Sequence, residues 1–112
     1  MRLISQNGMI DVPYEKVILG ICDQNNRQEY VIYAYHDSPR PLFLATYSNT
    51  DKALKVMEML REKYAKLEIF KSVYQKGLLT ELNKELGFDE MQNTLTSIFQ
   101  FPKDKEVEVQ DE

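Results

Sequence analysis

The stretch from Ser48 to Leu67 is the segment of this 112-residue chain whose structure the sequence constrains most tightly. Its apolar residues recur at alternating spacings of four and three, which places them on one stripe of an α-helix. These residues are Ala53, Met57, Leu60, Tyr64 and Leu67, with Val56 at the edge of the stripe. Ser48 or Asn49 can cap the first free N–H groups, and no glycine or proline interrupts the run. At ~1.5 Å per residue, we predict a helix of about 30 Å that crosses a small sheet.

Another face of the predicted helix is basic. Four lysines fall within one narrow sector that has Met59 in its middle, and we call them the lysine sector: Lys52, Lys55, Lys63 and Lys66. Such a sector can contact a phosphate backbone or an acidic partner. The more common explanation of such a sector is the ordinary solvated face of a surface helix, which keeps a protein in solution. The sequence leaves both interpretations open.

The first half of the chain is predicted to be a series of β-strands. Asn7-Gly8 is a strong hairpin signal, because a type I′ turn needs positive φ at both central residues. Runs of β-branched and aromatic residues follow at 17–22, 30–35 and 42–47, separated by turn residues. The connections are too short for parallel crossovers. We therefore predict an α+β fold, an antiparallel β-meander of about five strands packed against the one long helix.

The C-terminal part is predicted to carry shorter helices. Residues 68–76 either extend the long helix or begin a short strand, and helical spacing predicts further helices at 78–86 and 89–98. Residues 99–101 are a predicted final strand. Residues 1–102 thus form one α+β domain, and we predict that the acidic segment 103–112 is a disordered tail.

Composition favours a cytoplasmic protein. The net charge is −4, so a general nucleic-acid binder is not the first expectation, although residues 51–76 carry seven basic and four acidic side chains, a net of +3. Cys22 is the only cysteine, which rules out an intramolecular disulfide and fits a reducing compartment. No apolar run has the length of a membrane span, and the first residues lack the core of a signal peptide.

Both faces of the predicted middle strands are apolar. A sheet with one wet face would alternate more cleanly, so the C-terminal segment, a second copy or a partner is expected to cover the second face. The best aromatic cluster lies on these strands, close in sequence to Arg27 and Arg40, and consists of Tyr30, Tyr33, Tyr35 and Tyr47. If exposed, these tyrosines are candidate contacts for a protein partner or for single-stranded bases. Ordinary strand packing is the alternative.

The sequence offers little for catalysis. It has no glycine-rich phosphate loop and only one histidine, so we predict no cofactor, no metal site and no enzymatic activity. His36 and Asp37 could form an acid–base pair on a turn, but a lone turn histidine is more often simply exposed. Asp11 and Glu15 flank a proline and could form a weak cation site, or a solvated pair.

Three blocks of the chain resemble a family of small proteins encoded by phages, prophages and integrated elements of Gram-positive bacteria. The blocks are residues 5–15, residues 47–53 leading into 57–61, and residues 99–104. They cover about a third of the chain in order from end to end, whereas the section 68–86 has no counterpart. The resemblance implies a bacterial cytoplasmic setting and an accessory role on a mobile element. It assigns no catalytic residue.

The sequence therefore predicts a small non-enzymatic interaction protein that binds a protein partner or itself. The alternative is a weak nucleic-acid-binding accessory protein that uses the lysine sector. No membrane association is expected.

Overall fold

Two small sheets and one long helix form an α+β fold in the computed structural model of the chain, which describes residues 1–24, 29–75 and 98–108. The elements in chain order are β1 (Arg2–Ile4), β2 (Asp11–Pro13), β3 (Ile18–Gln24), β4 (Glu29–Tyr35), β5 (Leu42–Tyr47), α1 (Thr50–Gln75) and β6 (Ile98–Gln100). Short 3-10 helices follow β2 at Tyr14–Lys16 and β6 at Asp104–Glu106.

The strands divide between two three-stranded sheets, where the sequence predicted one meander of about five strands. One sheet is the antiparallel meander β3-β4-β5, and the other has the order β2-β1-β6. The chain leaves the second sheet at Pro13, because the 3-10 turn that follows ends the pairing. β6 pairs with β1 in parallel. These two strands come from opposite ends of the described chain, so no local spacing could reveal their pairing.

The β1–β2 hairpin has a longer loop than the sequence predicted. The Ser5 N–H donates to the Ile10 oxygen at 2.8 Å, and the Gly8 N–H donates to the Ser5 oxygen at 2.9 Å. Gly8 has a φ of 77°, whereas Asn7 does not lie in the left-handed region. The predicted type I′ turn is therefore wrong. Only the glycine supplies the positive φ, and the Asn7 side chain instead accepts the N–H of Met9 at 2.9 Å.

Residues 68–75, which the sequence left open between helix and strand, belong to the long helix, and position 76 lies outside the described residues. Asn49 is its cap, since its Oδ1 accepts the Lys52 N–H at 2.8 Å. The buried stripe is rotated slightly from the predicted one: Val56 is fully buried, and Met57 is only half-buried. Periodicity fixes the existence of an apolar stripe but not its centre, which the contacts with β4 and β5 determine.

The core lies between the two sheets and α1. Leu3 is fully buried, and its registered neighbours on both sides, Val12 and Phe99, are buried with it. Val107 also belongs to this core, at 5% exposure. Residues 103–108, which the sequence assigned to a disordered tail, pack on the domain, whereas residues 109–112 lie outside the described residues. A single buried valine in a charged segment is too weak a sequence signal to predict this. The helices predicted at 78–86 and 89–98 lie outside the described residues, apart from Ile98, which begins β6.

The two sheets are joined through Gln6. Its main-chain N–H donates to the Leu44 oxygen at 2.7 Å, and its side-chain Oε1 accepts the Thr46 N–H at 3.1 Å. Its Nε2 donates to the oxygens of Thr46 at 3.2 Å and Pro102 at 3.0 Å. The Tyr47 hydroxyl donates to the same Pro102 oxygen at 2.7 Å. Residues from the start, the middle and the end of the described chain thus meet at one hydrogen-bonded junction, which holds the sheets together.

Candidate functional site

The sheet β3-β4-β5 has one face in the core and one face turned away from it. Alternate residues of β4 point to opposite faces, so Ile32 and Ala34 join the core with α1. Strand register places another set on the other side, and we call this set the outer face: Ile18, Cys22, Val31, Tyr33, Tyr35 and Phe43. All of these side chains are apolar or aromatic, which agrees with the doubly apolar strands seen in the sequence.

Three large side chains of the outer face are open to solvent. Ile18 is 72% exposed, Phe43 54% and Tyr35 37%. Ile18 lies opposite Tyr35 and Phe43 lies opposite Tyr33, so the patch crosses all three strands. The Tyr33 and Tyr35 rings pack edge to face at 5.6 Å between centroids. A contiguous exposed apolar patch of this kind is typical of a protein-binding surface.

Gly20 sets the position of Tyr33 within the patch. The two residues are direct cross-strand partners, and a Cβ atom on Gly20 would lie 2.5 Å from the end of the Tyr33 ring. The ring therefore lies flat across the glycine, an arrangement that a larger residue would prevent. Gly20 thus holds an aromatic side chain against the sheet at the centre of the outer face.

The four tyrosines predicted as one cluster lie on two different faces. Tyr33 and Tyr35 are on the outer face, whereas Tyr30 packs against the core and Tyr47 is buried in it. Burial raises the pKa of Tyr47 well above its usual range, and the charges of Asp104 and Glu106 raise it further. Tyr47, whose hydroxyl is bonded to the C-terminal segment, therefore acts as a neutral structural group.

The lysine sector is divided as well. Lys52 Nζ donates to the Asp104 main-chain oxygen at 2.9 Å and lies 3.4 Å from its carboxylate. Lys63 Nζ donates to the Ile98 oxygen at 2.6 Å. Lys55 and Lys66 are exposed. Half of the sector is thus occupied by the C-terminal segment, which leaves two separated lysines facing solvent.

The remaining sequence candidates do not form a catalytic arrangement. His36 Nε2 lies 3.9 Å from the Asp37 carboxylate, too far for a hydrogen bond, and Asp37 is 89% exposed. Asp11 instead pairs with Arg2 at 2.8 Å, and Glu15 pairs with the terminal ammonium at 2.7 Å, which lowers the pKa of Glu15. Within residues 1–24, 29–75 and 98–108, no group of acidic, histidine or cysteine side chains could hold a metal ion.

A groove of about 350 Å³ runs between β3 and α1. Its floor is apolar, with Val17 and Leu19 from the strand side and Met57 and Leu60 from the helix, and its rim carries Tyr14, Glu15 and Arg61. Tyr14 of this rim packs its ring on Tyr64 of α1 at 4.5 Å between centroids. No sequence pattern indicates this feature, because it depends on how the helix lies over the sheet.

The sequence analysis chose its candidate partner-binding residues by type and did not include Ile18 and Phe43, which the structure shows exposed beside Tyr33 and Tyr35. Strand alternation alone separates Tyr30 from Tyr33 and Tyr35, since an odd separation reverses the face. Placing Phe43 and Tyr47 needed the register of β5, which contains a bulge opposite Ile32 and Tyr33. That irregularity has no marker in the sequence, since no glycine stands within β5.

Comparisons with protein-family models, with curated proteins and with solved structures find no match to this chain. None of the helices that the structure describes is both long enough and apolar enough to cross a membrane.

Proposed function

We propose that this chain is a non-enzymatic accessory protein, of the phage and mobile-element kind that it resembles, and that it binds a protein partner through the outer face. The exposed Ile18–Tyr35–Phe43 patch is the observation that carries the proposal. Aromatic residues held by their neighbours lose little side-chain entropy when they bind, so they are efficient anchors in protein interfaces. A folded protein with an apolar surface of its own is the partner that this chemistry suits.

The chemistry of the patch favours a protein over a nucleic acid. Within the described residues, the outer face carries no lysine or arginine to neutralise phosphates, although its tyrosines could stack on bases. Lys55 and Lys66, the two exposed members of the lysine sector, lie on the helix, which packs against the inner face of the same sheet. Stacking on the outer-face tyrosines and charge neutralisation by the lysine sector would therefore occur on different sides of the molecule.

A capture experiment tests the proposal. The tagged protein is expressed in cells that carry the parent element, and its retained partners are identified by mass spectrometry before and after nuclease treatment. We expect a specific protein that survives nuclease and is lost with Phe43→Glu, because a carboxylate at the centre of an apolar interface must be desolvated without a partner.

The matched control is Leu54→Glu on α1, since Leu54 is 52% exposed and Phe43 54% exposed. Retention of the partner by Leu54→Glu and its loss by Phe43→Glu support the outer face. Equal retention by both variants contradicts it. Material that disappears with nuclease, and that depends on Lys55 and Lys66, would favour the nucleic-acid alternative instead.

A further inference from the structure

The long edge of β3 differs from every other sheet edge in the described part of the chain. The edges formed by β2 and β6 are three residues long, and the outer edge of β5 is bonded by Gln6. β3 has seven residues, stands at the end of its sheet, and carries Asp23 as its single charged residue. Natural proteins usually shorten, charge or cover such an edge, because its free N–H and C=O groups can pair with another strand.

The groove beside this edge indicates what a paired strand would bring. Val17 and Leu19 of its floor belong to the β3 side, and its rim carries Arg61 together with Glu15, whose carboxylate is paired with the terminal ammonium. α1 packs on β4 and β5, so the inner side of β3 stays only partly covered and Leu19 and Ile21 are half-buried. A strand added to this edge would fit the groove best with an apolar side chain over the floor and an acidic side chain beside Arg61.

β3 itself has that pattern when it pairs antiparallel with a second copy about Gly20. Opposite residues of an antiparallel pair share a face, so Ile21 of one copy would lie beside Leu19 of the other, and Asp23 beside Val17. The Asp23 carboxylate would then approach Arg61 across the interface, twice by symmetry. A register shifted by two residues toward the start of the strand would set Asp23 against Glu15, and like charges disfavour it.

We propose that two copies of this chain pair through their β3 edges, in antiparallel register centred on Gly20, to form a continuous six-stranded sheet. This inference deepens the proposed function and rests on it in one respect, that the chain acts by association. The dimer uses the β3 edge and not the outer face. Edge pairing therefore leaves the outer faces of both copies exposed on the same side of the joined sheet. The dimer would present a partner with a doubled apolar surface.

A disulfide tests the register. In this pairing Ile18 lies opposite Cys22 of the second copy, at a Cα separation of about 5 Å that suits a disulfide. Within one chain the two positions are about 13 Å apart along the strand, so they cannot bond to each other. We expect Ile18→Cys to give a covalent dimer on mild oxidation, and the added Cys22→Ser change to abolish it. Ile18 is exposed, so the variant keeps the fold.

Phe43→Cys is the matched control, because it adds a well-exposed thiol away from the edge. Cross-linking by Ile18→Cys that exceeds the control at least tenfold in rate supports the register. Equal rates for the two variants contradict it. Persistence of the cross-link after Cys22→Ser contradicts it too, since the thiols introduced at position 18 of the two copies would then be bonding to each other in a different register.

Charge reversal tests the interface independently. Asp23 and Arg61 are both exposed, so neither change should disturb the fold. We expect Asp23→Arg or Arg61→Asp alone to weaken dimerisation about tenfold in sedimentation equilibrium, and the double variant to recover most of it. A wild-type chain that stays monomeric at the highest soluble concentration overturns the proposal.

The two proposals fail separately. Phe43→Glu should abolish capture of the protein partner without changing dimerisation, whereas Asp23→Arg should weaken dimerisation. Loss of the partner in Phe43→Glu with an unaltered monomeric mass would sustain the proposed function and reject the edge dimer. A normal dimer that captures the partner equally well with and without Phe43→Glu would support the edge dimer and reject the proposed function.

Discussion

The side-chain amide of Gln6 pairs with the main chain of Thr46 as a neighbouring strand would. Its Oε1 accepts the Thr46 N–H at 3.1 Å, and its Nε2 donates to the Thr46 oxygen at 3.2 Å. The same Nε2 also donates to the Pro102 oxygen at 3.0 Å, so the amide has only one orientation that satisfies all three contacts. One side chain thus closes the edge of β5 and fastens the C-terminal segment, so that β3 is the long unpaired edge among the strands that the structure describes.

Replacing Gln6 with glutamate should destabilise the protein. The change keeps the shape but removes the donor, so a carboxylate oxygen would face the carbonyls of Thr46 and Pro102. We expect the free energy of unfolding at neutral pH to fall by about 2–3 kcal/mol, measured by urea denaturation. Gln100→Glu is the control, since Gln100 is exposed on β6. A similar loss in both variants would show that added charge, not the lost donor, is responsible.

Asp104 should make stability depend on acid pH. Its carboxylate accepts the Ser48 N–H at 2.8 Å and the Ser48 hydroxyl at 3.0 Å, and these bonds together with Lys52 lower its pKa from the usual value of 3.8. A lowered folded pKa adds stability that is present above the unfolded value and lost as pH falls through the folded one. Compared with Asp104→Asn, the wild type should therefore lose its advantage below a pH of about 4. A difference that stays constant down to acid unfolding would contradict this.

Tyr47 should make stability depend on alkaline pH. Its pKa is raised in the folded state, so ionisation favours the unfolded chain. The contribution is fully present below the usual tyrosine pKa of 10.0 and decreases as pH rises above it. Tyr47→Phe should lower stability at neutral pH by only about 1 kcal/mol, because Pro102 keeps its bond from Gln6. The gap between wild type and variant should narrow above pH 10; a parallel decline of both would refute the assignment.

Gly20→Ala should displace the ring of Tyr33. The new Cβ would overlap the end of that ring, and we expect a loss of about 1 kcal/mol in the free energy of unfolding. A double-mutant cycle identifies the cause, because in a Tyr33→Ala background the same change should cost nothing. An equal cost in both backgrounds would mean that the strand itself, not the ring, requires the glycine. The Tyr33–Tyr35 ring contact, followed by NMR, should weaken in the single variant.

Local features of the fold were predictable because neighbouring residues determine them. The helix, its cap at Asn49 and the antiparallel order of β3, β4 and β5 follow from periodicity and turn chemistry. The pairing of β6 with β1 and the burial of Val107 depend on residues distant in the chain. The junction at Gln6 was not predictable either, because a lone glutamine in a turn has the same sequence pattern whether its amide meets water or a strand edge.

The candidate site was predictable only in outline. The doubly apolar strands indicated a second face in need of a cover, and the structure shows that face exposed at Ile18 and Phe43. The choice of tyrosines combined residues from both faces of the sheet, because residue type does not show to which face a side chain points. Only the register of β5 against β4 shows that Tyr47 is a core residue. The spacing of the lysine sector likewise could not show that one of its lysines, Lys52, is paired with Asp104.

Site-specific photo-cross-linking tests the central claim, that the outer face binds a protein, most directly. A benzophenone amino acid replaces Phe43 in one variant and Leu54 in the other, two positions of nearly equal exposure on different faces. Both variants are irradiated in cells of the organism that encodes the chain. We predict a discrete protein adduct from position 43 and none from position 54. An adduct from position 54 alone, or none from position 43 in a folded variant, would contradict the account.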